Sequence, residues 1–184
     1  MNSKRVKDIM VPLSEYATVS EEGTLRDAVV ALKKSQADYD QAKYRHRAIL
    51  VCNQNNVVVG KVSLLSILRA LEPKYEGMLS DKGPSHMGFT RKFQKAMFES
   101  LKLWQDPMDQ VCRKAAEIKV KNLMTIPSEN EIIGPDQELG EAIHQLVIGH
   151  HQSLLVSEGG KIVGILRLTD TFEAVAENIL ACGQ

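Results

Sequence analysis

The chain carries the same ordered set of residues twice, and this repeat narrows the possible folds more than any single residue does. It opens with Val6-Lys7-Asp8-Ile9-Met10, and Val120-Lys121-Asn122-Leu123-Met124-Thr125 follows 114 positions later. Leu25 and Ala28 recur at the same separation as Leu139 and Ala142. Each copy then holds an aliphatic stretch, a polar turn, and a second aliphatic stretch ending in Gly. These are Ile49-Leu50-Val51 to Val59-Gly60, and Leu154-Leu155-Val156 to Val163-Gly164. The two glycines are 104 apart, so the first copy holds ten extra residues before its second stretch. Solenoids repeat every ~20–50 residues, so this pattern means two similar halves, not a stack.

Each half reads as strand, helix, strand, strand, helix. In the first, Thr24 caps a helix from Leu25 towards Ser35, with Leu25, Ala28, Val29 and Leu32 on one face. Ile49 to Cys52 and Val57 to Val62 flank Asn53-Gln54-Asn55-Asn56, a hairpin signal. Leu64 to Leu71 then reads as a helix that stops before Pro73. In the second, Leu139 to Ile148 is the first helix, and Leu154 to Val156 and Lys161 to Leu166 flank the turn Ser157-Glu158-Gly159-Gly160. The last helix is expected over Thr171 to Ala181, with Phe172, Val175 and Ile179 facing inward. The expected class is α/β, of the α+β kind: two pseudo-symmetric β-α-β-β-α repeats packed through their sheets, with a helical insertion between them. Residues 1–71 form repeat one, 72–119 the loop and insertion, and 120–184 repeat two. A half of this size buries too little surface to be comfortably stable alone, which is the physical reason for two.

Within the insertion, Lys74 to Gly88 is rich in Gly and reads as a mobile loop. Phe93, Met97, Leu101 and Trp104 then recur at helical spacing. Asp106-Pro107 offers a cap and a first-turn Pro for a second helix, whose apolar face is Met108, Val111, Cys112 and Ala115. This stripe either packs on the halves or forms a surface for a partner or for self-association.

Lys+Arg and Asp+Glu are both 23, so no global field favours a nucleic-acid partner. No apolar run approaches the ~18 residues of a membrane span, and no apolar stretch follows the basic N-terminus, so neither membrane insertion nor secretion is expected. Cys52, Cys112 and Cys182 are few, odd in number and far apart, as expected of reduced thiols in a cytoplasmic protein.

The repeated openings, the helix starts Thr24-Leu25 and Glu138-Leu139, and the strand-to-helix junctions give the chain a family likeness. Those junctions are Gly60-Lys61-Val62-Ser63-Leu64-Leu65-Ser66 and Gly164-Ile165-Leu166-Arg167-Leu168-Thr169-Asp170. The chain resembles a pair of cystathionine-β-synthase (CBS) domains, also called a Bateman module, standing alone. The resemblance covers about three-quarters of the sequence and leaves out the insertion. It implies a regulatory fold that binds an adenosine-containing ligand (AMP, ADP, ATP or S-adenosylmethionine) between its halves, works as a disk-shaped homodimer, and modulates an unidentified protein. No cofactor is required.

The family's ligand signature is Gly, two aliphatics, Ser or Thr, two variable residues, then Asp. The hydroxyl and nearby helix N–H groups hold phosphate, and the carboxylate accepts from a ribose diol. Copy one keeps Ser63 but has Ser66 for the acid; copy two keeps Asp170 but has Arg167 for the hydroxyl. Copy two is therefore the better site, with Asp170 on ribose and Arg167 on phosphate. Equally, Asp170-x-x-Glu173 reads as a helix N-cap, Arg167 as a strand-end charge and Ser63 as a cap. Arg45-His46-Arg47 and His150-His151 bring positive groups to an edge that the resemblance places at the cleft, or are plain exposed loop; His150 or His151 on phosphate makes binding pH-sensitive. Thr125-Ile126-Pro127 or Val11-Pro12-Leu13 supplies the adenine pocket or is plain core, and Ile165 of the second junction counts among the ligand-binding residues. Nothing in the sequence matches a nucleophile elbow, a Walker loop or a zinc protease motif, so no catalytic or metal residue is expected. The remaining alternative is a nucleotide-free dimerisation or interaction platform.

Overall fold

The computed structural model describes residues 4–38, 45–75 and 90–181. Its strands are β1 (Val11–Pro12), β2 (Thr18–Ser20), β3 (Ala48–Cys52), β4 (Val58–Ser63), β5 (Ile132–Ile133), β6 (Ser153–Glu158) and β7 (Lys161–Arg167). Its helices are α1 (Leu25–Asp38), α2 (Leu64–Leu71), α3 (Arg91–Ser100), α4 (Met108–Glu117), α5 (Leu139–Ile148) and α6 (Leu168–Ala181). One sheet runs β2-β3-β4 and the other β1-β7-β6-β5. In each, a parallel pair (β2 with β3, β5 with β6) sits beside the expected antiparallel hairpin.

Three consecutive buried aliphatics in each central strand explain the layering. Side chains alternate faces along a strand, so a fully apolar run needs cover on both sides. Ile49 and Val51 point to the core beneath α1 and α2, with Leu25, Ala28, Leu32 and Ile67. Leu154 and Val156 point to Ala142 and Leu146 of α5. The middle residues, Leu50 and Leu155, share a third core with Val11, Tyr16 and Ile165 between the sheets. The two sheets thus pack through their inner faces.

The halves exchange their opening segments. Val6 lies in the core of the second half and Val120 in that of the first. The Val6 N–H donates to Gln137 O and the Val120 N–H to Gly23 O, both at 3.0 Å. Leu139 N–H donates to Lys4 O (3.0 Å), and Leu25 N–H to Ile118 O (2.8 Å). β1 pairs with β7, placing Val11 opposite Ile165, and Thr125 bridges to Lys61 of β4 in the same sense.

Several boundaries differ from expectation. Thr24 caps α1 through a reciprocal pair with Asp27, but the helix continues to Asp38. α6 begins at Leu168, not Thr171, so Asp170 lies in its first turn and is not the N-cap. Phe172 and Ile179 are turned outward, 62% and 66% exposed, while Thr171 and Ala174 are buried. The smaller side chains let the helix approach the sheet closely. α3 stops at Ser100, and left-handed Lys102 and Trp104 break the Phe93–Trp104 stripe, burying Leu103 instead. Pro107, not Asp106, is the N-cap position of α4, its carbonyl accepting from the Gln110 and Val111 N–H groups, and the Asp106 carboxylate is engaged by Lys114. Of the expected α4 face, Ala115 packs on the first half's core, whereas Met108 and Cys112 are exposed. Most of the stretch read as a mobile loop, and Cys182, lie outside the described residues.

Candidate functional site

The exchange builds two related clefts, each from the strand-to-helix junction of one repeat and the opening of the other. In the copy-two cleft, Arg167 ends β7 and Asp170 stands in the first turn of α6. Arg167 Nε and a terminal guanidinium nitrogen donate to the two Asp170 oxygens, both at 2.5 Å. This is the two-pronged geometry that makes Arg–carboxylate pairs strong. A second guanidinium nitrogen lies 3.5 Å from His46 Nδ1. His46 is fully buried and meets the Tyr16 ring edge-on, centroids 4.2 Å apart. Arg167 itself is only 6% exposed.

Burial sets the protonation of this cluster. Loss of solvent around His46, reinforced by the Arg167 charge and opposed by Asp170, depresses its pKa to about 4. Burial likewise pushes the Tyr16 phenol up to about 12, although Arg167 and backbone N–H groups at Ala48 and Arg47 pull it down. The histidine is therefore neutral and the phenol protonated around pH 7, so Arg167 and Asp170 carry the cluster's charge.

The copy-one cleft closes differently. Lys61 of β4 donates to Glu131, which precedes β5, and His151 Nδ1 stands 3.9 Å from the same carboxylate oxygen. Burial is the largest influence on Glu131 and raises its pKa. The Lys61 hydrogen bond and charge, with the Ser128 N–H and His151, outweigh it and hold the carboxyl below its ordinary range. His151 is the structural counterpart of His46, and its Nε2 is buried without a hydrogen-bond partner, against Gly149. Ser63 caps α2, its Oγ accepting from the Ser66 N–H at 3.0 Å and lying 2.8 Å from Ser66 Oγ.

The exchange divides the residues singled out from sequence. Arg167 and Asp170 meet each other beside β1, which carries Val11 and Pro12 and leads into Leu13. Arg47 stands exposed next to His46, with its carbonyl accepting from the Leu64 N–H. Ile165 is fully buried between the sheets. Thr125, by contrast, is bonded to Lys61 and belongs to the other cleft, followed by Ile126 (77% exposed) and half-buried Pro127. His150 is exposed in a left-handed conformation just past α5, and His151 turns into the copy-one cleft. Sequence reasoning missed Tyr16, Lys61 and Glu131. Only the reciprocal packing of the opening segments shows that residues near 16 and 131 face the junctions.

A search of curated proteins by sequence finds no match. Solved structures of the same fold are numerous. One is the CBS domain of a CBS domain containing membrane protein from Sphaerobacter thermophilus (TM-score 0.61, 18% identity, 94% of this chain and 88% of that one). Another is CBSX2 in complex with AMP (TM-score 0.57, 20% identity, 94% and 96%). A third is the CBS domain of the bacterial CNNM/CorC family Mg2+ transporter in complex with ATP (TM-score 0.58, 14% identity, 94% and 87%). At these identities the likeness concerns the fold. The CBS domain family model matches the sequence twice, at residues 6–73 and 120–177. With the repeat, the two exchanged halves and both family matches in agreement, the chain belongs to the CBS domain family, as a tandem pair or Bateman module.

Proposed function

We propose that this CBS pair is a regulatory rather than catalytic module, a cytoplasmic sensor that takes an adenine nucleotide in its copy-two cleft. One observation carries the choice of cleft: Arg167 and Asp170 are three residues apart on a single junction. Their ion pair can open without parting the halves, whereas Lys61 and Glu131 join the halves together. On binding, Asp170 accepts from the ribose diol and Arg167 turns to the phosphates, exchanging one internal pair for two ligand contacts. Arg47 adds charge at the rim, and Val11-Pro12-Leu13 flanks the base. The AMP and ATP held by CBS-domain structures of similar fold support this ligand class. Free Cys52 and Cys112 fit a reducing compartment.

The test is thermal unfolding with AMP, ADP, ATP and S-adenosylmethionine. A ligand at 100 times its Kd stabilises by about 2.7 kcal/mol, and Asp170→Ala weakens binding at least about tenfold, the loss of roughly one charge-assisted hydrogen bond. Unchanged affinity in Asp170→Ala overturns the reading.

Two observations favour a second reading, a nucleotide-free homodimeric platform. Both Asp170 oxygens are already taken by Arg167. Matching apolar residues, Leu64 and Leu68 on α2 and Leu168 and Phe172 on α6, are all exposed. Such a repeated apolar face is self-complementary about a two-fold axis. Under this reading Leu68→Ser and Phe172→Ser halve the mass seen by analytical ultracentrifugation, and no nucleotide shifts unfolding even in Arg167→Thr, which frees Asp170.

A further inference from the structure

We propose that the insertion docks this protein on an anionic phospholipid surface through α3 and the turn that follows it. The chain has only four Phe and one Trp, yet Phe93, Phe98 and Trp104 fall within twelve residues. A helix with an apolar side is ordinarily buried against its own fold. Here Phe98 is 49% exposed, Trp104 39% and Met108 74%, and α3 contributes no buried residue. On the helix circle Phe93, Met97 and Leu101 share one side, Arg91, Lys92 and Lys95 occupy the other, and Phe98 lies at the boundary between them, next to Arg91.

Charge selects the occupant. Residues 90–105 hold four cations (Arg91, Lys92, Lys95, Lys102) against the single anion Glu99, in a chain whose total charge is zero. A basic face beside an aromatic one matches a layer of anionic headgroups above acyl chains. The helix is held out from the fold by a defined support. Lys102 and Trp104 are left-handed, the Trp104 N–H donates to buried Glu72 (2.7 Å), and Lys74 Nζ donates to Lys102 O (3.0 Å). The indole N–H of Trp104 donates to Tyr75 Oη at 3.1 Å. This sets two amphipathic rings at the boundary where Trp and Tyr partition between water and lipid. No described helix is long and apolar enough to cross a membrane, so α3 lies on the surface and does not span it.

Trp104, as the only tryptophan, reports directly on docking. The full chain is sedimented with vesicles of phosphatidylcholine alone and of phosphatidylcholine with phosphatidylserine, while Trp emission is recorded. The expected result is partitioning and a blue shift with the anionic vesicles only, reversed by salt. Lys92→Ala and Lys95→Ala each weaken partitioning roughly fivefold, and Phe98→Ser roughly tenfold. Lys33→Ala with Lys34→Ala, both exposed on α1, leaves partitioning unchanged. Thermal unfolding verifies that each variant is folded. The proposal is overturned by absence of wild-type partitioning, by equal partitioning into neutral vesicles, or by an equal loss in the α1 control. It is also overturned if Phe98→Ser lowers the oligomeric mass in solution and leaves vesicle binding intact, since a second copy then covers this face.

Discussion

Arg167 and Asp170 close the copy-two cleft from within one strand-to-helix junction, whereas Lys61 reaches across the repeat boundary to Glu131 to close the other. The two clefts share a histidine at the same structural position, fully buried His46 in one and partly buried His151 in the other. They differ in where the acid comes from. A local pair can trade its partner for a ligand at the cost of one interaction. A pair that joins two halves cannot open without loosening their packing. The pseudo-symmetric fold thus closes one cleft with a pair inside a single junction and the other with a brace between the halves.

The glycines behind these junctions test the comparison most severely. A Cβ built on Gly164 lies 2.7 Å from the carbonyl oxygen of Val11, a backbone atom of β1. On Gly60 the nearest atom is Met124 Sδ at 2.8 Å, the far part of a flexible side chain. Gly164→Ala must displace a strand, and is expected to cost about 3 kcal/mol against about 1 kcal/mol for Gly60→Ala. Urea unfolding of the two variants decides it. Equal losses mean that β1 is no more rigid than the Met124 side chain, and the halves are not so unlike.

Much of this fold was legible in sequence, and the reason is physical. The triplets Ile49-Leu50-Val51 and Leu154-Leu155-Val156, each followed by a polar turn and a second aliphatic run, read as hairpin strands, and three apolar residues in a row ask for cover on both faces. The clefts were legible only as motifs. Ser63, Arg167 and Asp170 could be named from their junctions, but the groups that meet those junctions from the opposite repeat, His46 beside Arg167 and Glu131 on Lys61, could not be paired with them. Tyr16 and Glu131 carry no local signal. They gain their roles from the exchange of opening segments, which no periodicity reports. Phe172 misled for a related reason: a helical stripe says which residues share a face, not which face is covered.

Acid separates the clefts next. The folded pKa of His46, about 4, lies below its unfolded value near 6.5, so the unfolded chain binds the proton more tightly. Its contribution is complete above the unfolded value and is lost as pH falls from about 6.5 to about 4, amounting to roughly 3 kcal/mol. Glu131 has a folded pKa lowered from 4.5 and supports the fold above that value, weakening only as pH falls below it. Copy two should therefore fail first on acidification. His46→Gln should flatten the stability profile between pH 6.5 and 4.5 and leave the lower limb in place. A profile that keeps its upper limb in this variant removes His46 as the cause.

The brace itself is measured by a double-mutant cycle on Lys61→Met and Glu131→Gln. Both side chains are mostly buried, so the coupling should exceed that of an exposed ion pair and reach about 1.5 kcal/mol. It should shrink in acid as Glu131 takes up a proton. A coupling near zero means the pair only fills space, and that the joining of the halves rests on the apolar residues between the sheets.

The smallest effect concerns the hydroxyl that copy one kept. Ser63 Oγ accepts from the Ser66 N–H, leaving α2 with a satisfied first turn. Copy two has Arg167 at this position, which has no acceptor to offer. There the Thr171 hydroxyl instead donates to Arg167 O at 3.0 Å, and Asp170 supplies the negative charge a helix start favours. Ser63→Ala should cost about 1 kcal/mol, as loss of a cap does, and Ser63→Asp, which preserves an acceptor, should restore it. If Ser63→Ala is neutral, the hydroxyl is not retained for capping. A phosphate role for Ser63 then becomes the better explanation of why this half kept it, and copy one returns as a ligand site despite Ser66.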